Sequence, residues 1–368
     1  MAGLFFAYLY RGIIRGMLRR SRENYDIFDL AKIILALMVV TIHTGLLPGV
    51  VYPWVRVAVP LFFMISSYLL FSKINNSPQK DKRSILKKSL KRQLLLYLLW
   101  TLILLLPIIK FREEFFENGI LAGVIFMLRR AFVRGTFVTS WFIVANIEAT
   151  IIVVWLSNLG ERHRRFRMMT PVLLGAIYLI CSAFAAYGMF FADGGKIETA
   201  KQIYTTILFE PHLSFPIATF WVYLGKIFAD GKLLITKMRR HDYAAMAAFS
   251  ALMLYLEWKF VAMRSGDVGD DLYLMLIPLV VGVFGAMLQT KIELKQPKLW
   301  RELSVVIFTT HVCFTQALFF VFDRAGFSNG FLRQLIIYAV VVTCSSIVYL
   351  VIKKLEKIRF LKVLAYLH

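Results

Sequence analysis

The feature that most constrains this chain is a succession of apolar runs close to twenty residues long, separated by short, mostly basic segments. Wound as a helix, such a run covers about 30 Å, the thickness of a bilayer's hydrocarbon core. Backbone amides in hydrocarbon must be bonded within their own segment, so runs of this kind specify helices. Composition agrees: 59% of the residues are hydrophobic and the mean hydropathy is +0.67. The expected fold is an all-α integral membrane protein, a bundle of about ten transmembrane helices. The spans fall near residues 30–48, 55–73, 90–109, 139–158, 170–191, 212–229, 243–262, 272–290, 303–322 and 331–352.

Charge orients the bundle. Lys73 to Arg92, Glu161 to Arg167, Lys232 to Arg240, Lys291 to Arg301 and Lys353 to Lys362 are basic and all fall on the side of the termini, whereas Glu113, Glu114, Glu117, Asp193, Asp267, Asp270, Asp271 and Asp323 fall on the other. Positive loops remain in the cytoplasm, so both termini are expected there. A formal net charge of +22 distributed between apolar segments holds helices in orientation and argues against nucleic acid as a partner. Residues 1–27, with Arg11, Arg15, Arg19 and Arg22 at helical spacing and no small-residue cleavage site, read as a basic amphipathic helix on the cytoplasmic leaflet or a disordered tail. Residues 28–352 read as one membrane domain and 353–368 as a basic cytoplasmic tail. Cys181, Cys313 and Cys344 lie inside apolar runs without metal-ligand spacing and read as neutral thiols.

Arg129, Arg130 and Arg134 break the charge rule, since they fall on the outer side after LAGVIFMLRR, a stretch too short to span. Either the stretch dips into the membrane, or it lies along the outer surface with its arginines on an anionic phospholipid or a lipid-linked phosphate.

Ionisable groups at membrane depth are costly and usually face a cavity or a partner. Here they are His43, Arg56, Glu148, Glu257, Lys259 and His311, with the polar Asn146 beside Glu148, and Glu210 and His212 flanking Pro211 at an outer entry. Glu257 and Lys259 sit close enough to the outer boundary to snorkel. Lys32 and His43 are eleven positions apart, which puts them within about 20° on one helical face and about 16 Å apart along the axis. Asp29 is placed to pair with Lys32. His43 is either an imidazole satisfied by a neighbouring carbonyl or a functional base; Lys32 on its face, Arg56 on the next span and the pair Ser66 and Ser67 favour a polar cleft. No two histidines share a ligating helical spacing, so no metal is expected, and there is no phosphate-binding glycine loop, nucleophile elbow or paired-carboxylate signature.

These residues resemble the acyltransferase-3 family of integral-membrane acyltransferases. The opening pattern of an Asp, a basic residue three positions on and a later His is present as Asp29, Lys32 and His43 in FDLAKIILALMVVTIH, and VPLFFMISSYLL from Val59 to Leu70 is similar to the next family signature. Looser likenesses are SWFIVANIE with Trp141 and Phe142, FPIATFWVYLGKIF through Gly225, and SVVIFTTH ending at His311. Two positions depart from the pattern: the usual arginine is Lys32, which lacks a bidentate fork, and the usual glycine is Ser67.

The resemblance implies a membrane O-acyltransferase of the bacterial cytoplasmic (inner) membrane. It would move an acyl group, commonly acetyl, from cytoplasmic acyl-CoA as co-substrate to a hydroxyl of an envelope glycan or lipid-linked acceptor. On that basis His43 is expected as general base or transient acyl carrier, with Lys32 and Asp29 placing the donor. Arg56, Ser66, Trp141, Glu148 and His311 are expected to line the substrate path. The competing classes are an exporter or flippase of a lipid-linked saccharide and a non-catalytic ligand-sensing membrane module.

Overall fold

The computed structural model describes residues 26–47, 49, 51–105, 119–191, 195–265 and 272–368. The N-terminal arginines Arg11, Arg15, Arg19 and Arg22 and the acidic residues Glu113, Glu114, Glu117, Asp193, Asp267, Asp270 and Asp271 lie outside the described residues. Within them the chain is helical and contains no strand. The helices are α1 Asp26–Thr44, α2 Tyr52–Asn75, α3 Gln79–Ile103, α4 Ile120–Val133, α5 Ser140–Arg162, α6 Arg164–Phe184, α7 Lys196–Leu208, α8 Phe215–Asp230, α9 Arg240–Ser265, α10 Leu276–Leu288, α11 Pro297–Arg324 and α12 Phe331–Leu355.

Ten of these overlap the ten expected spans in part or in full. Seven, namely α1, α2, α5, α6, α9, α11 and α12, are long and apolar enough to cross a membrane. The other three fall short for different reasons. α3 carries Lys87, Lys88, Lys91 and Arg92 along its middle, α8 has 16 residues, and α10 has 13.

Local sequence explains the boundaries. α1 stops at Gly45, whose φ of +65° is a left-handed conformation that only glycine adopts without penalty. α2 opens as a single turn at Tyr52–Val55, loosens at Arg56 and Val57, and resumes at Ala58. Pro60 sits in the first turn of that second segment, where a missing amide hydrogen leaves no helical bond unmade.

Hydrophobic transfer drives folding weakly between helices already in lipid, so close backbone approach and polar contacts decide which helices pair. The central pair is α2 and α8. A Cβ on Gly225 would stand 2.6 Å from the Met64 carbonyl oxygen and 2.9 Å from the Ser67 Cβ, so glycine there lets α8 close onto α2. Ser67 Oγ then donates to the Val222 carbonyl at 2.5 Å. The serine that stands where the family pattern has glycine is thus matched by a glycine on the facing helix. Trp221, Tyr178, Phe63 and Phe284 are fully buried in the core around this pair. Leu102, Val172 and Leu350 point outward, as lipid-facing residues do.

Two placements differ from expectation. Glu257 does not snorkel: its Oε1 and Oε2 accept from the Leu274 and Met275 amides at 2.7 and 2.9 Å, and it also accepts from the Tyr187 hydroxyl. The carboxylate therefore satisfies free amides at the start of α10. Residues 353–368 do not trail away as a tail. After α12 the 3-10 segment Arg359–Leu367 folds back on α3, where Trp100 Nε1 donates to the Leu367 carbonyl at 3.1 Å and Arg92 to that of His368 at 3.0 Å. Buried Glu302 anchors the return, accepting from Tyr349 at 3.1 Å and meeting Lys353 at 3.4 Å and His368 at 3.4 Å.

Candidate functional site

The candidate site is organised along α1 and α11. Near the start of α1, Asp29 is buried between two cations, with Lys32 Nζ at 3.9 Å from Oδ1 and Arg301 Nη1 at 3.2 Å from Oδ2. Lys32 thus lies where helical spacing puts it. Arg301 comes from the first turns of α11. Asp26, a turn before Asp29, accepts from the Leu294 amide at 3.0 Å and ties the segment leading into α11 to α1.

At the other end of the same helices His43 and His311 meet, with ring centroids 5.1 Å apart and planes inclined at 51°. His43 is exposed, whereas His311 is fully buried. Contacts between the early residues of both helices and between the later residues of both mean that α1 and α11 run parallel. The cations and the imidazoles are separated by ten or eleven residues on each helix, so about 15 to 16 Å lies between the two clusters.

A cavity opens beside α1 and is lined by Ile42, Arg56, Trp141, His212 and Trp221, among others. Arg56, at the loosened turn of α2, also places its guanidinium carbon 3.9 Å from the centroid of the Tyr52 ring. Trp141 reaches the cavity from the first turn of α5, and its ring lies 6.2 Å from that of Phe63. The structure therefore brings Arg56 and Trp141 together and adds His212.

Among the described residues, neither Ser66 nor Glu148 has a hydrogen bond or ion pair to either cluster. Ser66 is half-buried on α2, and Ser67 makes the cross-helix bond. Glu148 is half-buried on α5, two turns beyond Trp141, with a buried Oε2 that has no hydrogen-bond partner among the described residues. Two residues before it, Asn146 donates to Gln93 of α3 at 2.7 Å.

Arg129 and Arg134 have partners in the protein. Arg129 packs over the Phe209 ring at 4.2 Å and Arg134 meets Glu210 at 3.1 Å. The opposite face of α4 exposes Ile120, Leu121, Val124, Ile125, Leu128 and Phe132. The helix has 14 residues, with its arginines turned to the protein and these apolar side chains exposed.

In the sequence Arg301 is only the end of a basic segment, Lys291 to Arg301. A signal for it exists: it precedes His311 by ten residues, much as Lys32 precedes His43 by eleven. The repetition carries meaning only once α1 and α11 are known to be neighbours running the same way.

These features define a multi-pass helical membrane protein in which an ion cluster around a buried carboxylate and a histidine pair are connected along two parallel helices. The acyltransferase-3 family model, described as an acyltransferase domain, matches residues 25–351, and the chain belongs to that family. It is accordingly a membrane acyltransferase in general terms. No curated protein and no solved structure matches the chain.

Proposed function

We propose that the protein transfers an acyl group, most simply acetyl, from cytoplasmic acyl-CoA to a hydroxyl of a cell-envelope glycan or lipid-linked acceptor in a bacterial cytoplasmic membrane. The observation that carries this reading is the pair of parallel helices holding cations at one end and imidazoles about 16 Å away at the other. An extended pantetheine arm is of that order of length. Donor phosphates fit the Lys32 and Arg301 end, with Asp29 holding both cations in place, and the thioester then falls beside the histidines. His43 is the exposed imidazole and acts as general base on the acceptor hydroxyl. Arg56, Trp141 and His212 supply the cationic and aromatic surface suited to a sugar or phosphate on the acceptor side.

The direction of α11 also supports ten crossings with both termini in the cytoplasm. If the seven long apolar helices alone crossed, α1 would be the first and α11 the sixth, and the two would run antiparallel. With α3, α8 and α10 also crossing, α11 is the ninth and runs parallel to α1, as found. α8 fits this scheme: its end meets the end of α2, where Asn75 Nδ2 donates to Asp230 Oδ1 at 3.0 Å.

The test is transfer of labelled acetyl from acetyl-CoA to envelope material by membranes containing the protein, followed by mass spectrometry of glycans and lipids from cells with and without it. An added acetyl mass on one species is expected. His43→Ala protein that remains folded and still transfers at the full rate would remove His43 from the mechanism.

A further inference from the structure

We propose that His311 is the positioning residue for His43, accepting a hydrogen bond from it and so aiming its unprotonated nitrogen at the acceptor. The inference rests on the reading of His43 as the base and adds the group that orients it.

The argument begins with the tautomer of His311. Its Nδ1 lies 3.0 Å from the Ile307 carbonyl oxygen. A carbonyl only accepts, so Nδ1 carries the hydrogen. In a neutral imidazole the other nitrogen, Nε2, is then a bare acceptor. That nitrogen is buried and has no hydrogen-bond partner among the described residues. A fully buried, unsatisfied lone pair in a helical bundle calls for a donor.

The neighbours on α11 are already committed. Thr309 donates to the Val305 and Val306 carbonyls, Thr310 to the Val306 carbonyl and to Ser345 Oγ, and Thr315 to the carbonyl of His311 itself. Phe308 sets its ring 6.0 Å from that of His311 and offers no donor. His43 is the polar ring packed against His311, at 5.1 Å between centroids. At that separation the two rings are near enough for a ring N–H of His43 to serve Nε2.

The arrangement has a chemical consequence. With one nitrogen of a neutral His43 donating to His311, the other carries the lone pair that takes the acceptor's proton. During transfer the acceptor oxygen bonds the acyl carbon as its proton moves to His43. The carbon–sulfur bond then breaks, and the leaving thiolate of CoA takes up that proton. While His43 holds the proton, its cationic ring keeps a neutral acceptor in His311. A carboxylate in that place would bring a second ion to membrane depth, which a neutral imidazole avoids.

The experiment compares wild-type protein with His311→Leu, which keeps bulk without a lone pair, and His311→Gln, whose amide oxygen can accept. Each is labelled with 15N-histidine in lipid nanodiscs and assayed with acetyl-CoA. The expected result for His311→Leu is a kcat lower by about 10²-fold with an unchanged KM for acetyl-CoA, accompanied by a change in the 15N shifts that report the His43 tautomer. His311→Gln is expected to restore most of both. An unchanged kcat in His311→Leu, or equal loss in both variants with unaltered His43 shifts, overturns the proposal. If wild-type protein transfers no acetyl group, the functional reading fails and the shifts alone judge the pair: a His43 tautomer that follows the residue at 311 sustains it, and one that does not overturns it.

Discussion

Arg301 of α11 closes to 3.2 Å on Asp29 of α1, on the opposite oxygen from Lys32. One carboxylate therefore holds together two cations from distant parts of the sequence. Asp29→Asn leaves both without their counter-charge. Because the Arg301 side chain is 42% exposed, water recovers part of the loss, and the expected destabilisation is about 1–3 kcal/mol, below that for a fully buried pair. Thermal unfolding in detergent measures it. Arg301→Met removes a cation from the donor end and is expected to raise the KM for acetyl-CoA several-fold with little change in kcat, as initial rates over a range of acetyl-CoA will report.

The parallel run of α1 and α11 makes a topological prediction. With Cys181, Cys313 and Cys344 replaced, single cysteines at Asn76, His163 and Ser328 are tested with a membrane-impermeant thiol reagent on intact cells. Ten crossings place Asn76 and His163 inside and Ser328 outside, so Ser328→Cys alone should label. Seven crossings give the reverse for His163 and Ser328.

Gly225 faces the backbone of α2 with no room for a methyl group. Gly225→Ala should destabilise the protein by about 1–3 kcal/mol through overpacking, and Gly225→Val by more. Ser67→Ala removes only one interhelical bond and should lose about 0.6 kcal/mol. Denaturation midpoints ranked in that order would locate the close approach at Gly225.

Glu257 holds the amides of Leu274 and Met275. Glu257→Ala leaves two donors unmet at the start of α10 and should cost about 1–3 kcal/mol. Faster hydrogen exchange at Leu274 and Met275, with the rest of the bundle unaffected, is the signature to measure. A snorkelling side chain would leave those amides unchanged.

The folded-back segment after α12 should respond to acid. Burial by itself raises the Glu356 carboxyl, but hydrogen bonds from Lys353 and His368, with their charges, hold it below its usual value near 4.5. A carboxyl depressed in the folded state stabilises above its unfolded value, and that contribution is lost as pH falls through the folded one. Limited proteolysis is expected to release residues 356–368 only below about pH 4.5, and Glu356→Gln to release them more readily at neutral pH.

Much of this was legible in the sequence because its causes are local. Apolar run length dictates membrane helices through the need to bond every amide. Helical period alone places Lys32 near Asp29 and carries His43 to the far end of α1. Other features depend on which helices touch. Arg301 joins Asp29 because α11 lies along α1; Ser67 is accommodated because Gly225 faces it; Glu257 becomes a helix cap because α10 begins beside it. His311, one polar residue in an apolar run, acquires its significance from a bare nitrogen sealed against the His43 ring. Sequence period fixes where a side chain stands on its own helix. Only tertiary packing decides which helix supplies the partner, since in lipid that choice rests on small-residue contacts and single hydrogen bonds that apolar patterning does not encode.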